Sequence, residues 1–337
     1  MRHGIRSVLL LMAPWLGWLS TPAAEPEASV PRGILVLDDC DEAYQGKEKY
    51  EDHLTFVTAA GKPGFQVTGI NMCESVGSQH VIAADVQRQC VWVSENVGGC
   101  IKRYDLHGKV TATIAAKGCG AIAVHPETGH VWALVSETGD FTRSRTVVFD
   151  EKGTERMSYD ASGVDIVHSG RDNAFWVVGN QLQKIYATDG FVDFSQRITP
   201  WCGVSVDVDP QTGAVWVATR EHPNVEGSSN QLLKFDRAGN KIAETALGEK
   251  DPTKVSVAPQ DGSVWVACFQ DELKQYSSEG KPLMKCAVHA VSVQTVRSGD
   301  VWAMTKTDIR KLNARGETLV KIDLAGKTSQ GWMGVWE

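Results

Sequence analysis

Six times the chain sets a short β-prone run with tryptophan in second place: Val91-Trp92-Val93-Ser94, Val131-Trp132-Ala133-Leu134, Phe175-Trp176-Val177-Val178, Val215-Trp216-Val217-Ala218, Val264-Trp265-Val266-Ala267 and Val301-Trp302-Ala303-Met304. These runs are apolar at both alternating sets of positions, which predicts strands sandwiched between two neighbouring sheets. Before each comes an alternating strand and a turn, as in Gly203-Val204-Ser205-Val206-Asp207-Val208-Asp209-Pro210-Gln211-Thr212-Gly213. Pro sets φ and Gly permits positive φ, so this is turn chemistry between two strands. After each comes a third strand, a second turn and a fourth strand, as in Lys234-Phe235-Asp236-Arg237-Ala238-Gly239-Asn240-Lys241-Ile242.

The tryptophans recur at intervals of 40, 44, 40, 49 and 37 residues. Four short antiparallel strands repeated at about 40 residues predict the blades of an all-β propeller, with strands a to d running outward from the axis. Six blades fill the chain from about Ser78 to Asp323. At the start, Gly33 to Asp38 reads as a b strand, and Leu54-Thr55-Phe56-Val57 with Ala60 to Val67 as strands c and d. Trp332-Met333-Gly334-Val335-Trp336 supplies the missing a strand. The expectation is therefore seven blades, one split between the two ends of the chain so that no open edge remains. Six blades with a decorated N-terminus is the alternative arrangement.

Composition narrows the function classes. The 34 basic and 41 acidic residues are interspersed, without the Lys/Arg cluster that a nucleic-acid surface needs. Arg2, His3 and Arg6, the apolar stretch Val8 to Leu19 and Thr21-Pro22-Ala23-Ala24 form a signal-peptide pattern. We expect residues 1–24 to be a signal peptide, 25–337 a single secreted or periplasmic propeller domain, and no membrane span beyond the leader.

The unit from Val91 to Asp105, with Trp92, Glu95, Asn96, Gly98, Gly99 and a strand ending in Tyr104-Asp105, resembles NHL-type repeats. It is similar also to the repeats of virginiamycin B lyase-like and SMP-30/gluconolactonase-like propellers. Where such propellers are enzymes, the resemblance implies a divalent metal, Ca or Mg, held at the axis by carboxylate, Asn or His side chains. Glu95 stands where the lyase-like repeats carry their acidic residue, and His289 is the other candidate ligand. No other cofactor is evident, and a covalent haem lacks its Cys-x-x-Cys-His.

In this strand order the d–a connections and b–c segments share one face. The b–c segments 40–52, 137–145 and 221–230 are long and polar, whereas the a–b turns are short. Long loops on a rigid scaffold are where binding usually resides. The candidate binding residues on that face are Glu95, Asn96, Asp160, Trp201, Glu221, His222, Asp251, Lys254 and His289, with His80 and His168 also on or beside a strands. Eight cysteines in an exported chain predict disulfides. Three times a b–c cysteine is followed by a d–a cysteine, which predicts Cys40–Cys73, Cys100–Cys119 and Cys268–Cys286 and leaves Cys90 and Cys202 over. Two functions stay open: a binding module for a small ligand or protein partner on the long-loop face, or a metal-dependent hydrolase or lyase with an axial pocket.

Overall fold

Each tryptophan run folds as the second strand of a four-stranded antiparallel sheet, and seven such sheets close into a ring, giving a seven-bladed β-propeller. The computed structural model describes residues 32–40, 52–70, 80–138, 143–188, 191–198, 202–221, 229–324 and 328–336. Among these residues no helix is long and apolar enough to cross a membrane.

Blade 1 is the split one: β28 (Thr328–Trp336) lies innermost, followed by β1 (Gly33–Cys40), β2 (Asp52–Thr58) and β3 (Pro63–Ile70). Blade 2 comprises β4 (Ile82–Asp85), β5 (Cys90–Glu95), β6 (Cys100–Asp105) and β7 (Val110–Ala115). Blade 3 comprises β8 (Cys119–Val124), β9 (Val131–Val135), β10 (Arg145–Phe149) and β11 (Glu155–Tyr159). Blade 4 comprises β12 (Asp165–Ser169), β13 (Ala174–Val178), β14 (Gln181–Tyr186) and β15 (Val192–Arg197). Blade 5 comprises β16 (Cys202–Val208), β17 (Val215–Arg220), β18 (Asn230–Phe235) and β19 (Lys241–Gly248). Blade 6 comprises β20 (Pro252–Val257), β21 (Val264–Cys268), β22 (Leu273–Tyr276) and β23 (Pro282–Cys286). Blade 7 comprises β24 (Ser292–Thr295), β25 (Val301–Met304), β26 (Asp308–Leu312) and β27 (Thr318–Asp323). The pairing of β28 with β1, from Ile34 opposite Val335 to Leu37 opposite Trp332, closes the ring and rules out six blades.

The six repeating tryptophans are all buried, each in the seam between its own blade and the next. Trp92 shares a cluster with Ile122, Val131 and Ala133 of blade 3, and Trp216 one with Val255, Val257 and Val264 of blade 6. At ~25 cal/mol per Å² an indole buried this way stabilises by about 4–6 kcal/mol.

The seams also carry a polar device. Directly opposite Trp176, Trp216 and Trp302 on the third strand stand Lys184, Lys234 and Lys311. Cross-strand partners lie on the same face of a sheet, and each ammonium sits 5.1–5.8 Å from its indole centroid. Each then donates to a carbonyl in the c–d turn of the next blade. Lys184 reaches Arg237 at 2.9 Å, Lys234 reaches Ser278 at 2.5 Å and Lys311 reaches Ala59 at 3.1 Å. Those turns are themselves fixed by the side chain that ends the third strand. Asp236 Oδ1 accepts from the amides of Ala238 and Asn240, both at 2.9 Å, and Asp105 and Asp150 repeat the motif. This explains the aspartate that closes the third strand in the sequence repeat.

On the a–b face, turn side chains reach the carbonyls of the following turn. Arg88 donates to Pro126 and Glu127, Arg171 to Gln211, Gln211 to Pro259 and Gln260, and Gln260 to Val296 and Arg297.

Lys234→Met keeps the aliphatic stem on Trp216 but removes the cation–π contact and the bond to blade 6. We expect a loss of about 1–3 kcal/mol in urea unfolding, against no measurable change for Lys250→Met at an exposed position.

Candidate functional site

The first strands of the blades line the axis, and their polar side chains bind the backbone of the next blade. Asp165 Oδ2 accepts from the Val206 amide at 3.0 Å and Ser205 Oγ from Val255 at 3.2 Å. Asp207 Oδ2 accepts from Val257 at 2.8 Å and Ser256 Oγ from Thr295 at 3.0 Å. These contacts give a carboxylate a reason to sit inside an otherwise apolar strand, because a buried amide needs an acceptor.

One contact goes across the ring instead of around it. His80, just ahead of β4 in blade 2, places Nδ1 2.6 Å from Asp165 Oδ1 of blade 4 and Nε2 2.6 Å from Lys254 Nζ of blade 6. Blades 2, 4 and 6 are not neighbours in a ring of seven, so these side chains meet at the axis. Asp165 and Lys254 are fully buried, while the His80 side chain keeps 18% of its surface exposed. An ionised carboxylate can only accept, so Nδ1 carries the proton and Nε2 turns its lone pair to the ammonium.

The charges hold one another. Burial pushes the Asp165 carboxyl up, but His80, Lys254 and the Val206 amide outweigh it and keep it below the usual carboxylate range. Burial lowers the Lys254 ammonium, with Asp165 and Asp207 opposing the shift. Burial raises Asp207, against the Val257 amide, His80 and Lys254.

Of the residues expected from the sequence, His80 and Lys254 join this cluster and the others described do not. Glu95 is buried but turned to its own blade: Oε2 accepts from Lys102 Nζ and Oε1 from the Tyr104 hydroxyl, both at 2.8 Å. Asn96 Oδ1 accepts from the Val97 amide. Asp160, Glu221, Asp251 and His289 are exposed. Trp201 and His222 lie outside the described residues. Among the described residues, no three His, Cys, Asp or Glu side chains are grouped so as to hold a metal ion. Asp165 and Asp207 were missed by the sequence reading. Their signal is a lone carboxylate inside an a strand, as in Val164-Asp165-Ile166-Val167 and Val206-Asp207-Val208.

His168 does not join the axial cluster. It lies between blades 3 and 4, its ring 5.2 Å from that of His125 and 4.9 Å from that of Phe175. His125 Nδ1 accepts from the Thr128 amide, so its Nε2 carries the proton and donates to Asn173 Oδ1 at 2.6 Å. Burial pushes the His168 imidazole down to about 4, with Asn173 and Glu127 opposing and His125 reinforcing.

The expected disulfides are corrected where they can be seen. Cys90, Cys100, Cys119, Cys202, Cys268 and Cys286 are free thiols. The Cys119 thiol donates to the main-chain carbonyl of Cys100 at 3.3 Å instead of facing its sulfur. Cys286 ends the outer strand β23 and Cys268 ends β21, with β22 between them. Two strand spacings are about 9–10 Å, beyond the span of a disulfide. The two side chains also point to opposite faces of blade 6, Cys268 toward blade 5 and Cys286 toward blade 7. Cys73 lies outside the described residues, and the Cys40–Cys73 pair with it.

No protein-family model matches the chain, and no curated protein matches it in sequence.

Two solution behaviours follow. Unfolded His168 takes up a proton near its ordinary 6.5 and the folded side chain only near 4. Its contribution is therefore full above about pH 6.5 and is lost as pH falls toward 4, about 3 kcal/mol in all. Urea unfolding followed against pH should show this slope in the wild type and a flatter one in His168→Gln. Among the six described thiols, Cys202 is half-exposed, whereas burial pushes Cys90, Cys119 and Cys268 up to about 11. A thiol reagent on the native protein should modify Cys202 before the other five.

Proposed function

We propose that the protein is an exported binding propeller, akin to the NHL and SMP-30-like group at the level of its repeat. In this reading it takes a small ligand at the channel mouth on the face of the d–a connections and b–c segments. One observation carries the reading: His80 is partly open to solvent while its two partners, Asp165 and Lys254, are sealed beneath it. A polar ring held from both sides by buried charges is pre-organised, so a ligand meeting it pays little ordering entropy. A few polar groups fixed on rigid strands are what orients a small ligand on such scaffolds.

The metal-dependent hydrolase or lyase reading draws no support from Glu95, whose two oxygens are taken by Lys102 and Tyr104. At the axis, the Lys254 ammonium already supplies a positive charge to Asp165 and Asp207.

Ligand-observed NMR with a fragment panel tests the proposal. Fragments that bind the wild type should bind His80→Gln at least about tenfold more weakly, as expected when a central polar contact is removed. Equal binding to both proteins would place recognition elsewhere and sink the reading.

A further inference from the structure

The propeller's other buried and half-buried lysines show how an ammonium is normally kept in this fold. Lys184 lies on Asp172 and the Arg237 carbonyl, Lys274 on Asp271 and the Leu247 carbonyl, and Lys102 on Glu95. Their partners are carboxylate and main-chain carbonyl oxygens. Lys254 is the exception. It is the most deeply buried of them, and its hydrogen-bond partner is the Nε2 of an imidazole. That imidazole has its other nitrogen fixed by a buried carboxylate at 2.6 Å. The arrangement is a carboxylate that orients a base and a base that faces a nucleophile, with an amine in the nucleophile's place. A purely structural lysine would be better served by direct contact with Asp165 or Asp207, both of which lie close enough to influence it.

We propose that Lys254 is a reactive amine that forms an imine with a small uncharged aldehyde or ketone entering the channel mouth, with His80 as its base and Asp165 as the positioning residue. This rests on the reading of the channel mouth as a ligand site. His80 Nε2 takes a proton from the ammonium, and Asp165 stabilises the imidazolium. The freed pair on Nζ attacks the carbonyl carbon; a C–N bond forms and the π pair moves to oxygen. Proton transfer from nitrogen to oxygen gives a carbinolamine. Its hydroxyl then leaves as water with the proton held on His80, while the nitrogen pair forms the C=N bond. The sum is ammonium plus carbonyl giving protonated imine plus water, with no change in charge.

The product keeps its positive charge where Asp165 and Asp207 face it. An additional carboxylate on the substrate would meet those two groups, which restricts the class to uncharged carbonyl compounds. Passage beside His80 into a site where Lys254 is 1% exposed restricts it to small ones.

The test is reductive trapping. The purified protein is incubated at neutral pH with propionaldehyde and sodium cyanoborohydride, and alkylated lysines are mapped by peptide mass spectrometry against time. Lys254 is expected to be alkylated at least roughly tenfold faster than exposed lysines such as Lys152 and Lys250, which have no base positioned beside them. In His80→Gln, with folding checked by its thermal midpoint, the Lys254 rate should fall about tenfold while the surface rates hold. An unmodified Lys254 beside alkylated surface lysines in the wild type overturns the proposal, whether or not the variant folds. An unchanged Lys254 rate in folded His80→Gln overturns the role of His80. Fragment binding that persists while Lys254 stays unmodified removes the covalent chemistry and leaves the binding site standing.

Discussion

The ring stands on what happens between blades. A four-stranded sheet with two apolar faces is insoluble alone, and each of these seven has two such faces to cover. In six blades the indole of the second strand supplies the area, and in blades 4, 5 and 7 the lysine opposite it supplies direction. A cation resting on the ring and bonded to the next blade's turn fixes how the two sheets are offset as well as that they touch. Hydrophobic contact by itself is indifferent to small slides and rotations. The charged hydrogen bond is not.

At the axis the same logic is turned inward. Asp165, Ser205, Asp207 and Ser256 each satisfy a backbone amide of the neighbour, which ties blades 4 to 7 to one another along the axis. Asp165 does so with one oxygen only. Its second oxygen is spent on His80, and His80 on Lys254, so three blades that share no seam are joined through one imidazole. Removing that imidazole would leave a buried carboxylate and a buried ammonium to find other partners in a low-dielectric channel.

The fold was legible because its signal is local. The tryptophan runs, the turn between first and second strands and the aspartate closing the third strand all recur within about 40 residues. The split blade followed from strands β1 to β3 lacking an inner partner that β28 provides. The site was not legible for the opposite reason. His80 lies 85 positions from Asp165 and 174 from Lys254, so no spacing rule connects them. His80 and Lys254 were found because of where they sit in the repeat, though not as partners; Asp165 was overlooked because it opens an apolar strand. Glu95 misled because its place after the tryptophan strand suggested a ligand, while Lys102 and Tyr104 across the hairpin had already claimed it. The cysteines misled through face parity. Cys268 and Cys286 end strands on the same side of the ring, but which face of the sheet each side chain takes depends on register.

The split blade sets an order on the birth of the molecule. Blades 2 to 7 each draw their four strands from one uninterrupted stretch of chain, so each can assemble as it leaves the ribosome. Blade 1 cannot. Strands β1 to β3 are made first and must wait, with an inner edge open, until β28 arrives after every other strand described. The axial tie is likewise deferred until blade 6 has been made, since His80 has no Lys254 before then. The nascent chain thus passes through an arc that exposes two unfinished flanks, and the ring closes only when β28 docks.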